Sequence, residues 1–156
     1  MPQYLFQCGL ATAALIIILL VQDAVLHAAI VVAVASTVFI VFIIPNSVAA
    51  TPRKVIGGHV VAVIVGSLLY AILNIPPIDA VTSDSGYIVD VIAALSVGLS
   101  IFLMVVSDTE HPPAAVTALG LTIPGWSWSA VAFFLVGALI FSLVRIALRP
   151  KLINLL

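Results

Sequence analysis

The chain has 156 residues, 64% of them hydrophobic and 7% charged, with five Lys/Arg, six Asp/Glu and a formal net charge of −1. Soluble domains carry about a quarter charged residues and just under half apolar ones, so this composition, at mean hydropathy +1.39, points to an integral membrane protein with the lipid bilayer as its solvent. It leaves no basic stripe for nucleic acid, and a single cysteine, Cys8, excludes an intrachain disulfide or a cysteine-rich metal centre.

The N-terminal Met1-Pro2-Gln3-Tyr4 lacks the basic residues of a cleavable signal, so the apolar run after it reads as a retained span. A helical span needs about 20 apolar residues, or about 17 where the membrane is thin. Residues 5–21, 24–44, 55–73, 88–106 and 127–148 meet that need. Only Gln22 and Asp23 interrupt the first two, which predicts a tight hairpin there. Residues 45–52 form a loop with proline at each end. Trp126 and Trp128 open the last span and Arg145 and Arg149 close it, as aromatic and basic interface anchors.

The piece at 111–123 stands apart. Pro112 and Pro113 cannot continue a preceding helix, but proline suits a first helical turn, whose N–H groups lack partners anyway. The segment reaches about 20 Å, short of a hydrocarbon core of about 30 Å. Charge decides whether it crosses. Arg53 and Lys54 before the third span, and Arg145, Arg149 and Lys151 at the end, belong on the cytoplasmic side. An even number of crossings must then separate them, and the short helix supplies the missing one. The expectation is an all-α protein, a single transmembrane domain over 1–156 with six helices and both termini cytoplasmic in the cell membrane. The acidic loop 79–84 would lie outside.

A shift of about 80 residues gives a faint self-match, placing Ala35-Ser36-Thr37-Val38-Phe39 on Ala115-Val116-Thr117-Ala118-Leu119. Two sets of three helices would form inverted repeats, an arrangement that marks binding sites near the midplane in many transporters. Chance matching between apolar segments is the rival explanation.

Two stretches carry a resemblance. Thr51-Pro52-Arg53-Lys54-Val55-Ile56-Gly57-Gly58-His59 is similar to a "PRNVIGGH" block, and Ser107-Asp108-Thr109-Glu110-His111-Pro112-Pro113-Ala114-Ala115-Val116-Thr117-Ala118 to an "HPPAGATAL" signature. Together they resemble the HPP family of small integral membrane proteins. The resemblance implies transport of a small inorganic anion: plant-chloroplast and cyanobacterial members are associated with nitrite, while many prokaryotic members are uncharacterised. The family is usually described with four spans, so six departs from it. Lys54 replaces the common asparagine. Ala115 stands where glycine is frequent, which leaves less room for close backbone approach to a ligand.

For an anion such as nitrite, a helix N-terminus offers free N–H groups and the positive end of the dipole. The helix at Pro112 has such an end, although its prolines remove two early donors. N–H groups from Ala114 onward, the Thr117 hydroxyl and His111, with a charge change in the physiological range, are the candidate contacts. Ser36 and Thr37, matched by the internal shift, would supply a polar surface from the first half; helix-packing hydroxyls are the alternative for all three residues. His59 reads either as a pore-lining or proton-linked group or as a bridge between helices. Gly57 and Gly58 beside it permit close helix approach. Arg53 and Lys54 attract anions or set topology; Asp108 and Glu110 either repel an anion at the same mouth or pair with them, fixing the two loops together. His111 in turn either serves the cargo or caps a helix end on Asp108 or a carbonyl.

No His-x-x-x-His or Glu-x-x-His spacing supports a metal site, no phosphate loop appears, and no Gly-x-Ser-x-Gly turn is present, so neither an enzyme nor a cofactor is expected. The leading expectation is a channel or proton-coupled permease, as a homo-oligomer because the bundle is small. The alternative is a membrane scaffold or sensor subunit that binds a partner through the His-Pro-Pro loop.

Overall fold

The computed structural model describes residues 2–21, 28–78, 86–123 and 126–155. Six helices account for most of them: α1 (Pro2–Val21), α2 (Ala28–Ile43), α3 (Pro52–Leu73), α4 (Gly86–Val106), α5 (Pro112–Thr122) and α6 (Trp128–Leu148). Single 3-10 turns occupy Val48–Ala50 and Arg149–Lys151. No strand occurs among the described residues. The hairpin expected at Gln22 and Asp23 and the acidic loop 79–84 lie outside them.

Within the described residues, three helices are long and apolar enough to cross a membrane: Pro52–Leu73, Tyr87–Val106 and Trp128–Lys151. Shorter apolar segments run over Leu5–Ala14 and Val31–Ile43. Helix α3 starts at Pro52 rather than at residue 55, because apolarity marks the membrane and not the helix. Thr51 is extended as N-cap, Pro52 takes the first position, and Arg53 and Lys54 are sound helix formers.

Helix α5 is the hub. It has 11 residues, about 16 Å of helix, and it touches α2, α3, α4 and α6. Its faces are almost wholly buried, including Ala114, Ala115, Thr117, Ala118, Gly120 and Leu121. It runs parallel to α3. A Cβ on Gly58 would meet His111 Cβ at 2.8 Å and Ala114 Cβ at 3.3 Å, and one on Gly66 would meet Ala118 O at 2.8 Å and Leu121 Cβ at 2.9 Å. Gly58, Ala62 and Gly66 recur every fourth residue and so form one ridge of α3. Small side chains along that ridge let two backbones come together in lipid, where no hydrophobic effect pulls helices against each other. Beyond α5, Trp126 continues in the same direction. It stacks on Tyr70 with centroids 5.6 Å apart and donates its Nε1–H to Ser67 Oγ at 2.9 Å.

The ends of α2 and α4 and the starts of α1, α3 and α5 meet at one end of the bundle. Helix α4 stops in a Schellman arrangement: Thr109 N–H donates to Met104 O at 2.8 Å and Asp108 N–H to Val105 O at 3.3 Å. Asp108 takes the left-handed position at φ 53, which glycine usually fills. The C-terminal tail lies across the same end. Leu155 N–H donates to Ile43 O at 2.9 Å, and Asn46 N–H to Asn154 Oδ1 at 2.9 Å. Gln7 Nε2 donates to Phe42 O at 2.7 Å and Ile153 O at 2.6 Å. Arg145 reaches Pro45 O through Nε and Nη2. All five basic residues of the chain thus gather at this end.

Large apolar side chains remain on the outside, among them Ile64, Leu95, Phe102, Val136 and Leu143. Their number on separate helices suits a lipid solvent, which needs no polar outer face. The buried core combines Val38, Val41, Phe42, Val63, Leu121 and Phe134. A second cluster of Ala62, Met104, Ala114, Ala115 and Ala118 fills the α3–α4–α5 contact.

Candidate functional site

Four of the polar residues singled out in the sequence meet inside the bundle. Thr37 from α2, His59 from α3, and His111 and Thr117 at the start and middle of α5 are all at most 2% exposed. His59 Nδ1 lies 3.0 Å from Thr117 Oγ1 and its Nε2 lies 3.2 Å from Thr37 Oγ1. The same Thr37 oxygen is 3.1 Å from His111 Nε2. His111 Nδ1 is 2.9 Å from the carbonyl of Ala49 in the Val48–Ala50 turn. The two imidazole centroids are 5.3 Å apart, and Phe134 of α6 stacks on His59 at 6.0 Å. The internal shift of the sequence had aligned Thr37 with Thr117, and these two hydroxyls flank the two nitrogens of His59.

Local geometry explains how the chain builds this. A residue before proline is driven to extended backbone, and His111 has φ −133 and ψ 98 as the N-cap of α5. That turn aims its ring at α2 and α3. Gly58 leaves the space that His111 Cβ occupies, and Gly57 does the same for the Thr109 side chain, whose Cγ2 would be 2.5 Å from a Cβ there. Ser36 sits about 100° round α2 from Thr37; it is half-buried and outside the four-residue cluster.

The backbone donors expected at the head of α5 are not open to a ligand. Pro112 and Pro113 have no N–H, and Ala114 N–H is bonded to His111 O at 2.8 Å. Polar contacts here must come from the rings and hydroxyls. Next to Thr37 and His59 is a cavity of about 10 Å³, lined also by Val34, Phe134, Gly137, Ala138 and Phe141. That is about the volume one water needs. A wider groove of about 380 Å³ shares Val34, Gly137 and Phe141 with it and is lined by apolar side chains such as Leu10 and Phe133. An anion would find no partner in that groove.

A layer of ions covers the loop end of the cluster. Lys54 Nζ bonds Glu110 Oε2 and lies 2.5 Å from Asp108 Oδ1, while Arg53 Nη2 is 3.2 Å from Asp108 Oδ2. Arg53 also reaches Ser107 O at 3.4 Å. Lys54 is 7% exposed although it is charged, and it stands in the first turn of a helix, where the dipole disfavours a cation. The two carboxylates offset both costs. The hydrogen bond from Lys54 in turn holds the Asp108 and Glu110 carboxyls below the usual carboxylate range. These four residues join the 107–110 loop to α3, and both cations are paired although Arg53 stays largely exposed.

Sequence reasoning missed the Ala49 carbonyl, because a backbone acceptor carries no residue signature. It also missed Phe134 as the wall of the site. The Gly58-Ala62-Gly66 spacing was readable as a helix contact and would have located α5 against α3.

The model of the HPP transmembrane region matches residues 1–151. The chain belongs to this family. A transmembrane protein of Dictyostelium discoideum is 36% identical over 85 residues, which is 54% of this chain and 27% of that relative. The chain therefore corresponds to about a quarter of the relative's length. No solved structure matches.

Proposed function

We propose that this HPP protein carries a small inorganic anion across a membrane, with nitrite as the leading cargo. The observation that supports the reading is the buried His59–Thr37–His111–Thr117 cluster at the start of a short internal helix. Polar and ionisable groups inside a membrane protein are costly and mark substrate or proton paths, and irregular backbone at that depth needs protein or a lined cavity around it. Nitrite follows from the family resemblance. Six crossings with both termini cytoplasmic fit the gathering of basic residues at one end, and a homo-oligomer fits the small bundle.

With the α5 N–H groups occupied, anion contacts fall to His59, His111, Thr37 and Thr117. Passage through the apolar groove is disfavoured. His111 and Pro113 are buried while Ser107, Asp108 and Pro112 are exposed, so the scaffold reading would rest on the loop surface and not on the imidazole.

The test is nitrite flux into vesicles containing the purified protein, with and without a pH gradient. Flux above protein-free vesicles is expected, and His111→Ala should bring it to the protein-free level while the folded oligomer persists. No flux under either condition would remove the reading, and undiminished flux in His111→Ala would make His111 structural.

A further inference from the structure

The cluster has a hydrogen-bond order that the Ala49 carbonyl determines. A carbonyl only accepts, so His111 Nδ1, 2.9 Å away, carries a proton. In the neutral ring, Nε2 is then a bare acceptor. Its neighbour at 3.1 Å is Thr37 Oγ1, which also lies 3.0 Å from the Ala33 carbonyl. Donation to Ala33 would leave the buried Nε2 without a donor, so the order that satisfies the ring turns the Thr37 proton to His111. Thr37 Oγ1 is thereby an acceptor towards His59 Nε2 at 3.2 Å, so His59 carries its proton on Nε2. His59 Nδ1 is left to accept from the Thr117 hydroxyl at 3.0 Å. One direction of donation runs through the whole chain: Thr117 to His59, His59 to Thr37, Thr37 to His111, His111 to Ala49.

With one more proton the same heavy atoms support two complete orders, the charge resting first on His59 and, after transfer, on His111, whose Nδ1–H the Ala49 carbonyl holds. When a proton binds His59 Nδ1, the Thr117 hydroxyl turns away. His59 passes its Nε2 proton to Thr37 Oγ1, and Thr37 passes its own proton to His111 Nε2. The result is a neutral His59 with its proton on Nδ1, an intact Thr37 hydroxyl and a His111 imidazolium still bonded to Ala49. Every inter-residue bond survives, and all of them reverse direction except the one from His111 to Ala49. A second proton would place two charged, buried rings 5.3 Å apart, which like-charge repulsion opposes.

We propose that Thr117, His59, Thr37 and His111 form a one-proton relay that loads His111 when an anion is carried, making a proton the co-substrate. This rests on the anion-carrier reading of the same site. The chemistry fits it: the cluster holds no permanent cation, and one proton on His111 supplies the charge that a monovalent anion requires once desolvated. Among the described residues, the charged groups beside the relay are Arg53 and Lys54 from α3 and Asp108 and Glu110 from the adjoining loop, and these are bonded to one another. Helices α2 and α6 present Val34, Phe134, Ala138 and Phe141 to it, none of which titrates.

Nitrogen-15 NMR of the histidines in the wild-type protein in bilayers reads the relay directly. At neutral pH, His111 is expected protonated on Nδ1 only and His59 on Nε2 only. On acidification a single proton should add, with His111 becoming doubly protonated and His59 moving its proton to Nδ1. The opposite tautomers at neutral pH, or both rings charging together, overturn the relay. In vesicles loaded with a pH-reporting dye, nitrite should enter with a proton. Thr37→Val, which breaks the chain at its centre, should cut this nitrite-linked proton movement by roughly a hundredfold, the lower edge of what proton-transfer groups contribute. Thr37→Ser should retain most of it. Nitrite movement without protons overturns the relay and leaves the carrier reading standing. Absence of nitrite movement overturns the carrier reading, and the relay then stands or falls on the histidine tautomers.

Discussion

Asp108 shows how a strained residue is kept for its side chain. Its left-handed backbone would suit glycine, yet the carboxylate is what meets Arg53 and Lys54. Asp108→Gly and Asp108→Ala both lose the carboxylate, but only alanine bears the left-handed penalty. Asp108→Ala should therefore be the less stable of the two by about 1 kcal/mol in thermal unfolding in detergent. The lowered Asp108 and Glu110 carboxyls also set a pH dependence. A carboxyl held lower in the folded state than its ordinary value, 3.8 for Asp108 and 4.5 for Glu110, stabilises the fold above those values. That stabilisation disappears as the pH falls through the lowered folded values. Melting temperature should be level near neutrality and decline on the acid side below about pH 4.5. Lys54→Met should flatten that decline, because Lys54 is the main cause of the shift; an unchanged acid limb would assign the decline to other groups.

At the scale of elements, α5 is positioned by what α3 lacks. The ridge Gly58-Ala62-Gly66 receives α5, and that contact sets His111 and Thr117 at their distances from His59. Adding a methyl at Gly58 or Gly66 brings it within 2.8 Å of His111 Cβ or Ala118 O respectively. Neither neighbour is the free end of a flexible side chain. Gly58→Ala and Gly66→Ala should each destabilise by about 1–3 kcal/mol. Gly98→Ala on α4, with nothing within 4 Å of the added methyl, should be neutral or slightly stabilising. Chemical unfolding in detergent separates the three. Gly58→Ala should also move the His111 ring resonances, since the clash is with His111 itself, whereas Gly98→Ala should leave them in place.

For the whole molecule, the loop end of the bundle is tied by the C-terminal tail. Gln7 on α1 is fully buried and holds the end of α2 and the tail together through Phe42 O, Ile153 O and Ile153 N–H. Gln7→Ala leaves those backbone groups short of partners and should cost about 1–3 kcal/mol. Its effect should appear as faster proteolysis of the tail at 152–155 and a lower melting temperature. A Gln7→Ala protein with an unchanged tail would mean the remaining contacts of Leu155 and Asn154 suffice. The same end carries the ion layer and the Ala49 turn, so motion there would reach His111 before any other part of the cluster.

Much of the architecture was legible in the sequence, because membrane helices report themselves through long apolar runs and their breaks through proline. The ranges of α1 to α6 follow those runs, with α3 extended to Pro52 where helix propensity outlasts apolarity. His59, His111, Thr37 and Thr117 stood out because polar groups are rare among such residues. Which of them touch was a matter of packing. Neighbouring Ser36 and Thr37 are alike in chemistry, and only the rotation of α2 against α3 turns one to the histidines. The direction of the hydrogen-bond chain rests on Ala49, a carbonyl that no side-chain pattern announces. Composition thus determined the membrane setting and the candidates by themselves. Tertiary structure decided the pairing, since close approach at Gly58 and Gly66 brings residues 22, 58 and 74 positions apart in sequence into one network.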